Sequence, residues 1–474
     1  MNHGTVTRRD GIRMLAGGAL AGAVCAIPAP ADAATLLAVS SRTTESFLDS
    51  LGIVAHLSDR EYPKGEVVLA KLRELGIRHV RTNNFVVAGD PGYTKAIKSS
   101  LLLGQNGIRL QFTALRPMMS APTQADIEAA INLRLDYIVT NGLTAYTEAV
   151  ETFNEYDKVY PQVLDWPGAL KASMIYLASQ RGRLAPETLI LGPALVGWDL
   201  PNTAPLMRTD GSGIPMSSYF DAGNLHSYYI GAKPDTAFKA STPQTVPSQF
   251  NTSPGKIDKA SNFRQRARSY GYNLSKDLPI ILSETGYNND PNGLYTGRID
   301  EASSGIYLPR AYLEAFRIGI LRTFMYELYD EPSAMPQYQR FFGFYRPDGT
   351  PKPQAVAVSR LTTLLGGGDP AVTPVGLTFG ISDPATLGVR SVLLQKRADE
   401  WWLAIWRPQS VWNYTAYTPI PRTPAAATLS FATPHRVEVH PDLALATDPT
   451  VTTAPVTQLT LTLGPAVTLV KITP

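Results

Sequence analysis

The chain has 474 residues, of which 44% are hydrophobic and 18% are charged. This length and composition are typical of a globular protein that is longer than one ordinary domain and buries a sizeable core. The formal net charge of +3 is too small to indicate a nucleic-acid partner, and no block of like charges predicts a polybasic tail.

The first 33 residues have the pattern of an export signal rather than of folded structure. The stretch Thr7–Arg13, with Arg8 and Arg9, resembles the bacterial twin-arginine signal. The apolar run that follows is too short and too weakly hydrophobic for a comfortable membrane span. Residues 31–33, Ala-Asp-Ala, fit a signal-peptidase site. We therefore expect a mature chain that begins near Ala34, is periplasmic or secreted, and is not inserted in a membrane; the alternative is an uncleaved anchor.

The only cysteine, Cys25, lies inside this export segment. The mature chain is therefore predicted to have no disulfide, no thiol nucleophile and no cysteine-ligated metal. The sequence also lacks the HExxH, GxSxG and phosphate-loop motifs, so it gives no support to metalloprotease, esterase or nucleotide-binding functions. We predict no cofactor and no metal site.

From about residue 50 the hydrophobic pattern alternates between that of strands and that of helices. Helices are predicted over 64–75, 123–142, 167–180 and 307–320, with a capping box at Thr123 and Asp126. Strands are predicted within 51–56, 77–82, 108–115, 148–157, 189–198, 220–229, 280–284 and 323–329. Eight strands with helical patterns between most of them predict an α/β fold, a (β/α)₈ barrel over residues 34–364.

After residue 364 the helical period disappears. Strands are predicted over 389–395, 400–405, 428–432, 437–440, 459–463 and 467–472. Residues 365–474 are therefore predicted to form a small antiparallel β-sandwich. Trp401, Trp402 and Trp406 could form a carbohydrate platform, but core packing is the better interpretation because the residues around them alternate as in a strand.

Polar and aromatic residues gather at the predicted carboxyl ends of the strands, where (β/α)₈ barrels place their active sites. The candidates for substrate contact or catalysis are His56, Arg81, Asn154, Glu155, Trp198, His226, Tyr228, Glu284 and Glu327. Some of them have a structural alternative: His56 and His226 could brace strands, Trp198 could be packing, and Glu327 could bind a hydroxyl or a cation or pair with an arginine.

Glu155 and Glu284 are the most informative of these residues, because each ends an apolar strand. Retaining glycosidases use two carboxyls about 5–5.5 Å apart, one as acid and base and one as nucleophile. Arg81, if it lies near Glu284, would favour the ionised form of that carboxyl. A single glutamate at a strand end is weak evidence, but two on separate strands of one barrel favour glycoside chemistry.

The barrel region resembles the clan A retaining glycoside hydrolases, with families 5 and 39 nearest in style. The matching residues are Asn154-Glu155, Arg81, the run from His226 to Tyr228, and Glu284. The resemblance implies that Glu155 is the acid and base, that Glu284 is the nucleophile, that Asn154 binds the sugar 2-hydroxyl and that Tyr228 hydrogen-bonds Glu284. The sequence departs from the family pattern after strand 8, where tyrosine and acidic residues replace the usual tryptophan.

The sequence therefore predicts an exported retaining hydrolase that cleaves β-glycosidic bonds of a poly- or oligosaccharide. Two alternatives remain open. One is a transglycosylase that uses the same residues, and the other is a catalytically inactive barrel that binds carbohydrate.

Overall fold

The computed structural model describes the chain from Ala34 to Pro474 with gaps. The described residues are 34–59, 61–82, 88–114, 121–156, 165–195, 209–235, 278–293, 295, 297–331, 339–385, 388–445, 448–452 and 454–474. The predicted export segment and Trp198 lie outside these residues. Within them, no helix has the length and apolar character needed to cross a membrane.

Two short strands, β1 (Leu37–Val39) and β2 (Arg42–Thr43), precede a parallel sheet of eight strands. Those eight are β3 (Leu51–Val54), β4 (His79–Thr82), β5 (Arg109–Ala114), β6 (Thr147–Phe153), β7 (Leu189–Ile190), β8 (Gly223–His226), β9 (Ile280–Thr285) and β10 (Arg322–Met325). Their order in the sheet is β7-β6-β5-β4-β3-β10-β9-β8. This order follows the chain around the sheet, as expected for a βα repeat.

The first and last strands of this order, β7 and β8, are also connected to each other. Leu191 pairs in parallel with Ala222, the amide of Gly192 donates to the Ala222 carbonyl at 2.9 Å, and the amide of Asp221 donates to the Ile190 carbonyl at 2.8 Å. Hydrogen bonds therefore continue from the end of β7 to the start of β8. The curled parallel sheet is consistent with the predicted (β/α)₈ barrel.

Helices pack on the outside of this sheet. The α-helices are Thr44–Leu48, Gly65–Leu75, Tyr93–Gln105, Gln124–Thr140, Trp166–Ser179, Glu301–Arg317 and Pro353–Leu365, and the 3₁₀ turns are Thr144–Tyr146, Arg181–Arg183 and Met216–Ser218. The capping box at Thr123 and Asp126 is confirmed. The helix predicted over 307–320 instead starts at Glu301, because the Asp300 side chain accepts from the Ser303 amide and caps it.

Most of the remaining strands belong to a second, largely antiparallel sheet. The remaining strands are β11 (Leu377–Ser382), β12 (Arg390–Arg397), β13 (Glu400–Trp406), β14 (Trp412–Asn413), β15 (Thr418–Pro419), β16 (Ala425–His440), β17 (Thr450–Val451), β18 (Val456–Leu463) and β19 (Thr468–Thr473). All of them except the β14–β15 hairpin belong to one nine-stranded sheet, which β1 and β2 complete and which is antiparallel except where β2 pairs in parallel with β12.

The predicted sandwich is not confirmed, because these strands are hydrogen-bonded in one continuous order. The two strands predicted over 428–432 and 437–440 are the single strand β16, which pairs with β11 and β18 along its first half and with β19 along its second. Both halves bury apolar side chains in one cluster. Trp401, Trp402 and Trp406 are buried, as the core interpretation expects.

Candidate active site

The barrel interior changes from apolar to polar toward the carboxyl ends of its strands. The apolar part includes Val54, Ala149, Ile281 and Phe324. The polar part consists of side chains from five strands and the residues that follow them: Arg81, Gln111, Thr113, Glu151, Asn154, Glu155, Asn224, His226, Tyr228 and Glu284. The structure therefore brings six of the predicted site residues together at the end of the barrel where active sites occur.

Arg81 is fully buried and connects three of these side chains. Its Nε donates to Glu151 Oε1 at 2.5 Å, its Nη1 to Glu284 Oε1 at 2.6 Å, and its Nη2 to Asn154 Oδ1 at 2.7 Å. The planar guanidinium fixes the directions of all three bonds. The orientation of Glu284 and Asn154 is therefore set by one rigid group, and the condition that the sequence left open, a position of Arg81 near Glu284, is met.

Glu151 is a member of this network that the sequence did not predict. It also accepts hydrogen bonds from Thr113 Oγ1 at 2.7 Å and from Asn224 Nδ2 at 2.6 Å. Burial alone would raise the pKa of Glu151, but the charge and hydrogen bond of Arg81 outweigh it and hold the pKa below its ordinary value. Its oxygens are occupied, so Glu151 anchors Arg81 rather than facing a substrate.

Glu284 is held as a carboxylate. Tyr228 donates its hydroxyl to Glu284 Oε2 at 3.0 Å, on the side opposite the Arg81 bond, as the resemblance implied. Burial would raise the pKa of Glu284, but the positive charges of His226 and Arg81 and the Tyr228 hydrogen bond lower it below the ordinary value. An ionised, oriented carboxylate is the form that a nucleophile requires.

A β-bulge turns Glu284 toward the barrel interior. Leu225 and His226 of β8 pair with Leu282 and Glu284 of β9, so β9 carries one extra residue at this point. Strict alternation from the inward-facing Ile281 would direct Ser283, not Glu284, into the barrel. The bulge shifts this alternation by one position and brings the acid to the interior face.

Glu155, which follows β6, lies close to Glu284 at the same end of the barrel. One carboxylate oxygen of each glutamate and His226 Nδ1 lie within 4.8 Å of one another. His226 Nδ1 is 2.7 Å from Glu155 Oε1 and 3.4 Å from Glu284 Oε2. The Glu155 side chain is 22% exposed and that of Glu284 only 8%, so Glu155 is the acid with more access to solvent.

His226 and the backbone of Glu155 complete this arrangement. Burial alone would lower the pKa of His226, but the Glu284 charge and the bond to Glu155 raise it above the ordinary value. Glu155 has a left-handed φ of 47°, which a residue with a side chain adopts only at a cost of about 1–2 kcal/mol. Backbone strain of this kind clusters at functional sites.

His56 and Glu327 form a second group, together with Glu331. His56 Nε2 is 3.2 Å from Glu327 Oε2 and 3.4 Å from Glu331 Oε1. Burial raises the pKa of Glu327 well above its ordinary value, and burial followed by the Glu327 charge raises that of Glu331 to about 8. The Tyr326 ring meets both His56 and Tyr228 edge to face, with centroids 5.7 and 6.4 Å away, so this group adjoins the first.

Either group offers one imidazole and two carboxylates to a cation. In the first group, His226 Nδ1 is already hydrogen-bonded to Glu155 and Glu284 already accepts from Arg81 and Tyr228. In the second, no described residue donates a hydrogen bond to the carboxylate oxygens of Glu327 and Glu331, and His56 Nε2 has no hydrogen-bond partner among the described residues. The two groups therefore have different chemistry, although their residue types are the same.

No family model matches this sequence, and no curated protein matches it either. Solved structures do. A family 39 glycoside hydrolase from Bacteroides cellulosilyticus WH2 is 16% identical, with a TM-score of 0.56 over 92% of this chain and 82% of that chain. A family 39 enzyme from Xanthomonas axonopodis pv. citri is 14% identical, with a TM-score of 0.59 over 92% and 96%.

A monomeric beta-xylosidase from Caulobacter crescentus CB15 is 15% identical, with a TM-score of 0.58 over 92% of this chain and 98% of that chain. At these identities the likeness establishes a shared fold. The similarity covers both the parallel barrel and the second sheet. The resemblance to clan A barrels in the style of family 39, which the strand-end residues suggested, is therefore confirmed at the level of the fold.

Proposed function

We propose that the chain is an exported retaining glycoside hydrolase that acts on β-glycosidic bonds without a cofactor. The observation that carries the proposal is the Glu155–Glu284 pair: two carboxylates from different strands with oxygens within 4.8 Å, one of them held ionised. Direct attack by one carboxylate requires this close spacing, whereas inverting enzymes hold theirs about 6.5–9.5 Å apart to admit a water molecule.

In the proposed first step, Glu284 attacks the anomeric carbon while Glu155 donates its proton to the leaving oxygen. The glycosidic C–O bond breaks, the departing sugar leaves as an alcohol, and Glu284 becomes a glycosyl ester. Arg81 and Tyr228 orient the attacking carboxylate through its two oxygens. Asn154 uses its amide oxygen to accept from Arg81, so its amide nitrogen remains to donate to a sugar hydroxyl.

In the second step, Glu155, now a carboxylate, removes a proton from water as the water attacks the same carbon. The ester bond breaks, Glu284 returns to its ionised form, and Glu155 is protonated again. Two inversions give net retention of configuration. The proposal that the protein is exported is based only on the sequence of residues 1–33, which contains Arg8-Arg9 and the small residues Ala31 and Ala33.

Proton NMR of the first-formed product tests the mechanism. The purified enzyme is screened against aryl β-glycosides and β-linked polysaccharides, beginning with β-xylosides because the Caulobacter protein of this fold is a beta-xylosidase. We expect a β-configured product before mutarotation. An α-configured product would refute double displacement. Transfer products at high acceptor concentration would identify a transglycosylase, and binding without turnover an inactive barrel.

A further inference from the structure

We propose that His56, Glu327 and Glu331 form a binding site for one divalent transition-metal ion of the zinc type. The sequence predicted no metal, and the proposal is independent of the glycosidase assignment. His56 follows β3, and the two glutamates follow β10. These strands are neighbours, with Ile53 paired to Met325, so the chain brings the three side chains together at one corner of the barrel rim.

The distances between the three donors fit tetrahedral coordination. Zinc binds imidazole nitrogen and carboxylate oxygen at about 2.0–2.2 Å, which separates neighbouring tetrahedral ligands by about 3.3–3.5 Å. The distances from His56 Nε2 to Glu327 Oε2 and Glu331 Oε1 are 3.2 and 3.4 Å, and the three donor atoms all lie within 4.8 Å of one another. One ion can therefore contact all three without moving the backbone.

Within the described chain these donors are largely unsatisfied. His56 Nε2 lies close to two carboxylates but is hydrogen-bonded to neither, and no described residue donates a hydrogen bond to the carboxylate oxygens of Glu327 or Glu331; the two carboxyls can hydrogen-bond each other only when one of them carries a proton. Glu327 is 0% exposed and Glu331 is 4% exposed. Burying polar atoms without partners is unfavourable unless a cation or a proton compensates. An ion among the three donors would satisfy one atom of each residue.

The charge of the two glutamates favours a divalent cation. Of the residues that the structure describes, no lysine or arginine forms an ion pair with Glu327 or Glu331; their ionic contacts are with His56 alone. A neutral imidazole that coordinates through Nε2 carries its proton on Nδ1, which lies 3.6 Å from Asp59 Oδ2. Two carboxylates and a neutral histidine then balance one divalent ion, with Asp59 behind the histidine as an outer partner.

The imidazole selects among divalent cations. Calcium and magnesium prefer oxygen ligands in shells of six or more, whereas one histidine with two carboxylates is a donor set suited to zinc and related metals. The ion would join the ends of β3 and β10 next to Tyr326, whose ring lies between this group and Tyr228. Its expected role is to hold this part of the rim in place.

Metal content and a cobalt spectrum test the site. Wild-type protein is stripped with a chelator, dialysed, and titrated with Zn²⁺ or Co²⁺, with Ca²⁺ and Mg²⁺ as comparison ions. We expect one bound zinc per chain by elemental analysis, a rise in Tm of a few degrees on adding Zn²⁺, and the intense visible absorption of tetrahedral Co²⁺. Ca²⁺ and Mg²⁺ should leave the Tm unchanged.

Glu327→Gln and Glu331→Gln should each weaken Zn²⁺ binding by at least about 100-fold. The matched control is Glu148→Gln, because Glu148 also lies beside a buried histidine, but its Oε2 is hydrogen-bonded to His79 and ion-paired with Arg322. This control should bind Zn²⁺ as tightly as the wild type. If either variant does not fold, the wild-type titrations decide.

Three outcomes would overturn the proposal. If the wild-type protein takes up no metal and its Tm does not change on adding Zn²⁺, the proposal is wrong, and Glu327 and Glu331 share a proton instead. Binding that persists in both glutamate variants would place the ion elsewhere. A response to Ca²⁺ or Mg²⁺ but not to Zn²⁺ would contradict the coordination argued from the imidazole and the donor spacing.

Discussion

His79 and His56 occupy opposite ends of the barrel, and each lies between two acids. His79 begins β4, and its ring nitrogens lie 2.8 Å from Glu148 Oε2 and 3.0 Å from Asp49 Oδ1. Arg322 adds contacts to the same two acids at 3.0 and 2.9 Å. His56 follows β3 at the other end, where Glu327 and Glu331 approach it without a hydrogen bond; among the described residues, no arginine pairs with either acid.

The difference shows how one set of residue types serves two purposes. In the group around His79, the chain itself supplies the cation, Arg322, and the hydrogen bonds to one oxygen of each acid, although Glu148 Oε1 finds no partner among the described residues. The pKa of Asp49 is lowered to about 2, mainly by the hydrogen bond from His79. At the carboxyl end, Glu155 and Glu284 lie close to each other, and among the described residues Glu327 and Glu331 have no arginine or lysine partner. In (β/α)₈ barrels the amino end generally serves stability and the carboxyl end carries the active site, and the difference between these two groups follows that rule.

The contrast between the two ends of the barrel can be tested by mutation, and the largest loss of activity is expected when Glu284 is removed. Glu284→Ala should lower kcat/KM by about 10⁴-fold or more on every β-glycoside, because no leaving group replaces a missing nucleophile. Azide should restore part of the rate and give a glycosyl azide of inverted configuration. Steady-state kinetics and NMR of the product measure both.

Glu148→Gln is the control at the opposite end, and it should keep kcat/KM within a few-fold of wild type. Circular dichroism of Glu284→Ala separates lost chemistry from lost fold. If folded Glu284→Ala kept more than a few per cent of wild-type activity without azide, Glu284 would not be the nucleophile.

A smaller effect is expected at Glu155. Glu155→Gln keeps the shape and hydrogen-bonding capacity of the side chain but cannot deliver a proton. The rate of bond cleavage should fall by about 10²–10⁴-fold for substrates with poor leaving groups and far less for dinitrophenyl glycosides, which need little protonation. Pre-steady-state kinetics on the two substrate classes measure the difference. Equal losses on both would leave Glu155 with a positioning role only.

The sequence was sufficient to predict the barrel because its strands are apolar runs separated by helical periods. It was also sufficient to identify Arg81, Glu155, His226 and Glu284 as strand-end residues, which the structure places in one cluster. The second sheet was harder to predict. The strand β1 pairs with β11, which lies more than 300 residues later, and no local pattern in either strand encodes that partner.

Two features of the site were beyond prediction for different reasons. Glu151 lies in the middle of β6, a strand that also contains Glu148, and nothing in the local sequence assigns Glu151 a partner before Arg81 is placed beside it. The bulge in β9 depends on register with β8 and β10, a property of three strands rather than of one. That Glu327 and Glu331 have no basic partner other than His56 among the described residues also depends on the three-dimensional structure and could not be read from the sequence.

A third prediction concerns the stability of the group around His79. Glu148→Gln should lower the free energy of unfolding by about 1–3 kcal/mol, because it weakens the bonds to His79 and Arg322 at a largely buried position. Burial alone would lower the pKa of His79, but Glu148 and Asp49 raise it above its ordinary value. The stabilisation from a raised histidine pKa is complete below about pH 6.5 and is lost as the pH rises through the folded-state value.

The difference in Tm between wild type and Glu148→Gln should therefore be larger at pH 6 than at pH 9, as measured by thermal denaturation. Glu301→Gln, which removes a more exposed contact with Arg346, serves as the control and should show a smaller and less pH-dependent change. A pH-independent difference for Glu148→Gln would mean that His79 does not titrate with this group.

The smallest expected effect is a shift in a pH profile. The charges of His226 and Arg81 and the Tyr228 hydrogen bond together hold the pKa of Glu284 below its ordinary value, although burial acts in the opposite direction. The proposed reaction requires the ionised form of Glu284, so the acid limb of kcat/KM should lie below the ordinary pKa of a glutamate in the wild type.

Tyr228→Phe removes one hydrogen bond from the Glu284 carboxylate and leaves the ring in place. The pKa of Glu284 should rise, and the acid limb of kcat/KM should move to higher pH by less than about one unit, because Arg81 and His226 still act on the same carboxylate. Tyr312→Phe is the matched control: it removes a buried tyrosine hydroxyl that donates to the Gly52 carbonyl at 2.7 Å, and it should lower stability without moving the limb. A limb that stays fixed in Tyr228→Phe, or shifts equally in both variants, would show that the Tyr228 hydroxyl does not tune the nucleophile.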